Sequence, residues 1–327
     1  MNKQHSTLIL KTAVFTALIM LLFLLPPVNA DFVASYGSDP GKVAFVNQKS
    51  HPGLQIPIPY GPRAFRIIGE DCWIIDSVGG KLLRFNKTSG FVSEHRILDN
   101  PEEMIFEDIS PIIASDSTIS GWWTIDLKSS SLLQLDSSGK IVRRIKSPEF
   151  KQPFRVELGQ SNEVFLADKG AGTIFQINST DGSVIKKTKW EWSGFDVGDK
   201  TGTLYQIMFS SKEQASILVG TTSQMKQTVR IKLSLPLHYN PELQWVDEDR
   251  QECVLTYINH APGHPNHKRT VAVRVAFDGR IKGSAPINMP NHLNRFLDRG
   301  NGKPYVASAN YAESPMGNLC IKRFFLP

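Results

Sequence analysis

The chain has 327 residues, of which 37 are Lys or Arg and 31 are Asp or Glu, so its formal net charge at pH 7 is +6. The basic residues are scattered among acidic ones and form no run longer than a pair such as Arg143-Arg144. A nucleic-acid-binding surface concentrates its positive charge on one face or segment. The composition therefore argues against nucleic acid as a partner.

The first thirty residues have the pattern of a secretory signal peptide. A lysine-containing start precedes an apolar run over 12–25, two prolines end that run, and Ala30 closes a stretch of small residues suited to a signal peptidase. The run is shorter than the ~20 residues that a membrane-spanning helix needs. We predict cleavage after Ala30, a mature chain of residues 31–327, a secreted or periplasmic location, and no stable membrane insertion after signal cleavage.

One sequence pattern then occurs three times, as WIIDSVGGKLLRFNKTSG at 73–90, WTIDLKSSSLLQLDSSG at 123–139 and FLADKGAGTIFQINSTDG at 165–182. Each copy has a short apolar run that ends in aspartate, a polar turn, an alternating run, and a tight turn that ends in glycine. Alternation of apolar and polar residues predicts strands, and the turns are of the kind that joins β-hairpins. The repeat therefore predicts small antiparallel sheets.

Fainter copies of the pattern continue through 216–231, 253–279 and 305–324, and each copy is preceded by one more predicted strand, such as 64–68. Four strands recurring every 40 to 50 residues or so are the signature of a β-propeller. We predict an all-β fold, a six-bladed β-propeller that fills residues 31–327 as one domain.

The two ends of the mature chain predict how the ring closes. The sequence stops on the third strand of the sixth blade, and residues 53–58 resemble the fourth strand of other blades. We expect this N-terminal strand to complete the last blade, where Pro57 and Pro59 suit an outer edge because proline donates no ladder hydrogen bond. Residues 42–46 form a further strand pattern without a predicted place.

The stretch YGPRAF at 60–65, followed by 73–90, resembles an NHL repeat, and the resemblance is clear over about residues 60–185. Six-bladed propellers of the NHL and SMP-30/gluconolactonase type include binding scaffolds, lyases and metal-dependent lactonases. The resemblance therefore implies a fold that several functions share.

Three cysteines allow at most one disulfide. Cys72 and Cys253 occupy equivalent places in predicted blades that do not touch, which is too far apart for a disulfide, and Cys320 lies in a predicted strand. We predict buried free thiols.

Three groups of residues are candidates for a site. The first is the repeated aspartate, Asp76, Asp126 and Asp168, which either binds a cation as a ring or accepts backbone hydrogen bonds in its own turn. The structural role is favoured because the residue recurs with the repeat. The later copies lack this aspartate, so no full acidic ring exists.

The second group is NHAPGHPNH at 259–267, a long connection between strands 2 and 3 of blade five that contains His260, His264 and His267. Neutral imidazoles ligate zinc or copper, but no helix aligns these three and no fourth ligand is evident. A rim loop that shapes ligand entry is favoured. A divalent metal remains an alternative, and no cofactor is firmly implied.

The third group consists of Arg63, Arg155 and Arg295 at the predicted starts of the inner strands, with Glu107 and Asp108 in blade two. Guanidinium groups bind carboxylates and phosphates through paired hydrogen bonds. These arginines either form a cationic mouth for an anionic ligand or pair with neighbouring carboxylates.

The segment PNHL at 290–293, with Asp298, Gly300 and YVA at 305–307, is similar to the PNG-L, D-G, YVA segment of SMP-30-like lactonases. The resemblance implies that Asn291 is the counterpart of a metal ligand. His292 replaces the glycine of that segment, and the other ligand motifs are missing.

The sequence favours an exported, non-catalytic propeller that binds a protein or small anionic ligand on the face bearing the 2–3 loops. The alternative is a metal-dependent hydrolase, lactonase or lyase of the SMP-30/NHL-like group. The predicted ligand-binding residues are Arg63, Asp108, Arg155, His260, His264, His267, Asn291 and Arg295.

Overall fold

The structure is a computed structural model that describes residues 30–46, 60–100, 103–160, 163–191, 193–224, 226–235, 240–261, 264–288, 290, 292–300, 302–310 and 317–326. For residues 260, 261, 264–268 and 310 it describes the backbone only. The predicted signal peptide and the segment 53–58 lie outside the described residues.

Six four-stranded antiparallel sheets make up the described chain. Blades one to three contain β2 (Ala64–Ile68), β3 (Asp71–Asp76), β4 (Lys81–Asn86), β5 (Gly90–Arg96); β6 (Phe106–Ile113), β7 (Ile119–Asp126), β8 (Ser131–Asp136), β9 (Ile141–Lys146); and β10 (Pro153–Leu158), β11 (Glu163–Asp168), β12 (Thr173–Asn178), β13 (Val184–Lys189). In each blade the sequence order of the strands is also their order from the inner to the outer edge.

Blades four and five repeat this order, and blade six takes its outer strand from the N-terminus. Their strands are β14 (Phe195–Val197), β15 (Leu204–Ser210), β16 (Ala215–Thr221), β17 (Gln227–Lys232); β18 (Glu242–Asp247), β19 (Glu252–Ala261), β20 (His264–Ala276), β21 (Ile281–Ile287); and β22 (Leu297–Asp298), β23 (Tyr305–Asn310), β24 (Asn318–Arg323), β1 (Phe32–Ser35).

The prediction of an all-β, six-bladed propeller is confirmed. Inner and middle strands such as β3 and β11 are buried along almost their whole length, whereas outer strands such as β9 and β13 alternate between more and less exposed residues. Apolar side chains of neighbouring blades pack together between the sheets, as Trp73 packs on Trp122 with ring centroids 4.9 Å apart. Within the described ranges, no helix is long and apolar enough to cross a membrane.

The ring is closed by an N-terminal strand, but not by the predicted one. The closing strand is β1, which pairs antiparallel with β24 so that Phe32 lies opposite Ile321. Phe32 and Ala34 are buried, whereas Val33 and Ser35 are exposed, so one side of this four-residue strand faces the core. Val43 and Val46, from the unplaced strand pattern, form isolated bridges only.

The repeated aspartates accept hydrogen bonds from the backbone of their own turns and of neighbouring segments. Asp76 accepts from the N–H groups of Gly79 and Ala44, both at 2.8 Å. Asp168 accepts from Gln152 at 2.9 Å and Ala171 at 2.8 Å. This confirms the structural role, because the carboxylate satisfies turn N–H groups that the sheets leave unpaired.

A second set of aspartates connects the inner strands of successive blades. In every second blade, an inner-strand carboxylate accepts a hydrogen bond from the inner-strand backbone of the next blade. The pairs are Asp108 with the Val156 N–H (2.9 Å), Asp196 with the Val246 N–H (2.7 Å) and Asp298 with the Ile67 N–H (2.7 Å). These bonds hold adjacent blades in register around the channel.

The three cysteines are free, as predicted. Cys72 and Cys253 are buried, and Cys320 is half-buried. Burial raises the pKa of the Cys253 thiol to about 12. This thiol is therefore protonated and unreactive at neutral pH.

Candidate functional site at the channel mouth

One end of the central channel, where the inner strands begin, gathers the charged residues of interest. Arg63 precedes β2, Glu107 and Phe154 lie near the starts of β6 and β10, and Glu242 begins β18. Lys169 follows β11, and its N–H donates to the Gln152 carbonyl at 2.9 Å, which places this turn beside the start of β10. We call Arg63, Glu107, Phe154, Lys169 and Glu242 the mouth site.

Arg63 is held by a bidentate ion pair. Its Nε lies 3.0 Å and its Nη2 2.7 Å from the two carboxylate oxygens of Glu107. Its Nη1 donates to the carbonyl of His292 at 3.0 Å. Burial raises the pKa of Glu107, and the Arg63 guanidinium opposes that shift. The pair forms one fixed wall of the mouth site.

The other two predicted arginines lie deeper in the channel and are also paired. Arg295 contacts both oxygens of Asp108, at 2.8 and 2.7 Å, and Glu157 at 2.8 Å. Arg155 donates to the carbonyls of Leu243 and Gln244, at 3.2 and 2.6 Å. The Arg155 Nε also lies 3.4 Å from Glu157. Both arginines therefore contact neighbouring carboxylates, which is the second of the two alternatives drawn from the sequence.

The channel interior is an ionised network. Burial by itself would raise the pKa of Glu157, but Arg295, Arg66 and Arg155 outweigh burial and hold it well below its ordinary range. Arg66 completes the network with Glu157 at 2.5 Å and Asp298 at 3.2 Å. These groups pair with one another in the inner channel, beneath the mouth site.

Lys169 and Glu242 differ from these residues because neither has a charged partner in contact. The Lys169 ammonium lies over the Phe154 ring, 3.0 Å from its centroid. Among the described residues, neither the Lys169 Nζ nor the Glu242 carboxylate makes a hydrogen bond or an ion pair. Both side chains are half-buried. The mouth site therefore holds one unpaired charge of each sign.

The partly buried environment favours the uncharged form of both groups, as the directions of their pKa shifts show. Burial lowers the pKa of Lys169, against the opposing effect of Glu242 and Glu107. Burial raises the pKa of Glu242, against Arg155 and Lys169. The two groups are thus close enough to interact electrostatically.

His292 has a packing role beside the mouth site. It is buried, lies edge-on to Phe45 with ring centroids 5.4 Å apart, and its Nε2 is 3.4 Å from the Tyr36 hydroxyl. A Cβ atom at Gly61 would lie 2.9 Å from the ring. Burial lowers the pKa of His292 to about 4, so it is neutral at pH 7. Asn291 lies outside the described residues.

The predicted histidine loop of blade five is a long hairpin instead. β19 and β20 continue pairing to its tip, with Asn259 opposite Arg269 and Ala261 opposite His264. The backbone hydrogen bonds of this segment are made by antiparallel pairing of the two strands. The prolines in the sequence had instead indicated a loop. The side chains of His260, His264 and His267 lie outside the described residues.

No three His, Cys, Asp or Glu side chains in the described part of the chain lie together so that they could hold a metal ion. The three hairpin histidines and Asn291 fall outside that statement. The ion-paired carboxylates of the channel have arginines as their neighbours, which is an unfavourable setting for a cation.

The far end of the channel opens into a cavity of about 240 Å³. Asp196, Asp298, Glu157 and Arg299 contribute to its lining. Burial and the nearby Glu157 carboxylate raise the pKa of Asp196 to about 7. This end bears the 1–2 turns, opposite to the face that the sequence favoured.

The sequence did not predict Lys169, Glu242 or Asp196. Lys169 directly follows the repeated Asp168, where the other clear copies have Ser77 and Leu127. The sequence could have marked Lys169 only through this difference from the other copies of the repeat. Glu242 lies in a copy too faint to align, so no pattern marked it.

Comparisons with known proteins show the fold alone. No protein-family model and no curated protein sequence matches the chain, and so no match confirms the NHL resemblance. Among solved structures, hydrazine synthase of Kuenenia stuttgartiensis is similar with a TM-score of 0.52 at 12% identity, over 80% of this chain and 76% of that one. A luciferin-regenerating enzyme gives 0.51 at 11% identity, over 80% and 90%. A streptogramin B lyase gives 0.50 at 13%, over 91% and 96%.

Proposed function

We propose that this protein is an exported binding protein that holds a small zwitterionic molecule at the mouth site without chemically changing it. In this proposal, the anionic group of the ligand binds the Lys169 ammonium, and its cationic or hydrogen-bond-donating group binds the Glu242 carboxylate. An amino acid is the simplest compound with both groups.

The observation that carries the proposal is the pair of unpaired, half-buried charges at the channel mouth. A charge that is partly removed from water and has no oppositely charged partner in contact is unfavourable, and a ligand of complementary charge relieves both costs at once. The surrounding pairs, Arg63 with Glu107 and Arg295 with Asp108, are already bidentate. Such a preorganised wall lowers the entropic cost of binding.

The test is isothermal titration calorimetry of the mature protein with a panel of amino acids, dicarboxylates, diamines and neutral amides. We expect zwitterions to bind, and Lys169→Met and Glu242→Gln each to weaken the affinity roughly tenfold or more, since charged hydrogen bonds contribute about 1.5–3 kcal/mol.

The matched controls are Lys187→Met and Glu149→Gln, an exposed ion pair of the same propeller. These variants should bind the ligand as tightly as the wild type. Failure of every zwitterion to bind, or unchanged affinity in both mouth-site variants, contradicts the proposal.

A second candidate function is a lyase or hydrolase that uses the same two residues. A carboxylate with a raised pKa and an amine with a lowered pKa are suited to transfer protons near neutral pH. Mass spectrometry of the ligands after incubation distinguishes the two. A product that forms with wild-type protein, and not with Glu242→Gln, which still binds, favours the enzyme.

A metal-dependent form of that enzyme stays an alternative because Asn291 and the hairpin histidines lie outside the described residues. Elemental analysis of untagged mature protein, followed by thermal-shift measurements with Ca²⁺, Zn²⁺ and Mn²⁺, tests it. A metal that binds only the native state raises the melting temperature.

Export is tested separately. Intact-mass measurement of protein recovered from its native host should give a chain that begins at Asp31. A mass that includes residues 1–30 would contradict cleavage after Ala30.

A further inference from the structure

A second cavity, of about 280 Å³, lies between blades five and six on the face opposite the mouth site. It is bounded by the turn after β18, the turn before β23 and the residues that follow β24. We call it the inter-blade cavity. The residues that matter to the argument are Trp245, Arg274, Lys303, Arg323, Phe325 and Leu326.

One part of the inter-blade cavity is apolar. Trp245 and Leu326 are buried beside it, and Phe324 is partly buried against the same core cluster. The Phe325 residue that borders it is 76% exposed. A large exposed aromatic residue beside an apolar floor offers contact area to the hydrophobic part of a ligand.

The other part of the cavity carries an excess of positive charge. Five cationic side chains and two carboxylates line it, which gives a net charge of +3; the cations are Arg250, Arg274, Arg299, Lys303 and Arg323. Asp247 is engaged by Arg250 at 2.7 Å. Glu252 lies 3.9 Å from the Arg274 Nε, beyond hydrogen-bond distance. Arg299 is paired with Asp199 outside the lining, and Glu252 is shared between Arg274 and Lys282 at 3.9 and 3.7 Å. The positive charge that remains available is therefore that of Lys303, Arg323 and, in part, Arg274.

Two arginine nitrogens at this cavity are buried without a hydrogen bond, although the Arg323 guanidinium also bonds Tyr305. The Nε atoms of Arg274 and Arg323 have no hydrogen-bond partner among the described residues. Lys303 makes no hydrogen bond or ion pair in the same part of the chain. Buried N–H donors are nearly always satisfied in folded proteins, so Arg274 and Arg323 have hydrogen-bonding capacity that the described residues do not use.

We propose that the inter-blade cavity binds a small amphipathic anion, a carboxylate or phosphate monoester with a short apolar chain or ring. The head group accepts hydrogen bonds from Arg274 and Lys303, because guanidinium groups match carboxylate and phosphate oxygens. The apolar part packs against Phe325 and Leu326. This site is separate from the mouth site and does not depend on the function proposed for it.

The test is calorimetric titration of the mature protein with octanoate and octyl phosphate, each below its micellar concentration. We expect one molecule of either anion to bind per chain. Octanol, which has the same tail and no charge, should bind at least tenfold more weakly, and octylammonium should not bind. A preference for octanoate or for octyl phosphate identifies the head group.

Two variants of the cavity carry the test further. Arg274→Gln should weaken octanoate binding tenfold or more, and Lys303→Gln, a change at an exposed residue that leaves folding intact, severalfold. The control is Arg280→Gln in the same blade, whose side chain is 79% exposed and outside the cavity. Circular dichroism and melting temperature verify that each variant is folded.

Equal affinity for octanoate and octanol, or full affinity in both Arg274→Gln and Lys303→Gln, overturns the proposal. Lys169→Met should leave octanoate binding unchanged. This variant therefore separates failure of the inter-blade cavity from failure of the mouth site.

Discussion

At the scale of single residues, recurrence in the sequence decided what could be predicted. The turn role of Asp76, Asp126 and Asp168 followed from their repetition, and their backbone hydrogen bonds confirm it. Lys169 and Glu242 each occur once, and their importance depends on the absence of contacts. No sequence pattern encodes an absent partner, so these two residues required the structure.

Asp76 should make stability depend on pH. Burial raises the pKa of its carboxyl from an ordinary 3.8 to about 6. Between these values the folded state holds a proton that the unfolded state has lost, so the contribution of Asp76 to stability falls as pH rises from about 4 to 6 and is constant above.

The test compares wild type with Asp76→Asn by urea unfolding from pH 4 to 7. The wild type should lose about 2–3 kcal/mol relative to the variant over this interval, since one pKa unit corresponds to about 1.4 kcal/mol. A difference between the two proteins that does not change with pH would show that Asp76 titrates normally.

Arg295 should be a strong determinant of stability. Arg295→Met leaves the buried carboxylates of Asp108 and Glu157 without this partner, and removing one member of a buried ion pair costs about 3–5 kcal/mol. The control, Lys187→Met, breaks an exposed pair and should cost about 1 kcal/mol or less. Chemical unfolding measures both. Equal losses in the two variants would contradict the ionised channel network.

At the scale of strands, most elements were predictable because apolar alternation and hairpin turns mark them. The sequence correctly predicted that an N-terminal strand closes the ring, but the predicted segment was wrong. Residues 53–58 resembled an outer strand in sequence, whereas the four-residue strand Phe32–Ser35 takes that position. Four residues are too few for alternation to stand out. The long hairpin at β19 and β20 was obscured in the same way by its prolines.

Phe32 provides a test of the closing strand. It is 5% exposed and packs against Tyr305 with ring centroids 6.1 Å apart. Phe32→Ala should lower the free energy of unfolding by about 3–5 kcal/mol, as for other buried phenylalanines.

Val33, the next residue of the same strand, is 51% exposed and serves as the control. Val33→Ala should change stability by about 0.5 kcal/mol or less. Similar midpoints of urea unfolding for the two variants would mean that β1 does not close the ring as described.

At the scale of the whole molecule, the repeat period predicted the fold and left the function open. Six copies of a four-stranded unit are sufficient to specify a propeller, but related folds hold binding sites and active sites alike. The aspartates that join alternate blades, Asp108, Asp196 and Asp298, show that the ring also has a three-fold pattern that the six-fold repeat conceals. The candidate sites lie where individual blades differ from the repeat. Such differences do not recur along the sequence, so the repeat pattern could not predict them.

The central claim is that Lys169 and Glu242 together hold a ligand at the channel mouth. Its most direct test is a crystal structure of the mature protein with the tightest-binding zwitterion of the calorimetric panel. We predict that the anionic group of the ligand lies within hydrogen-bond distance of the Lys169 Nζ and that its cationic or donor group contacts the Glu242 carboxylate. Electron density for the ligand elsewhere, with Lys169 and Glu242 in direct contact with each other, would contradict the claim.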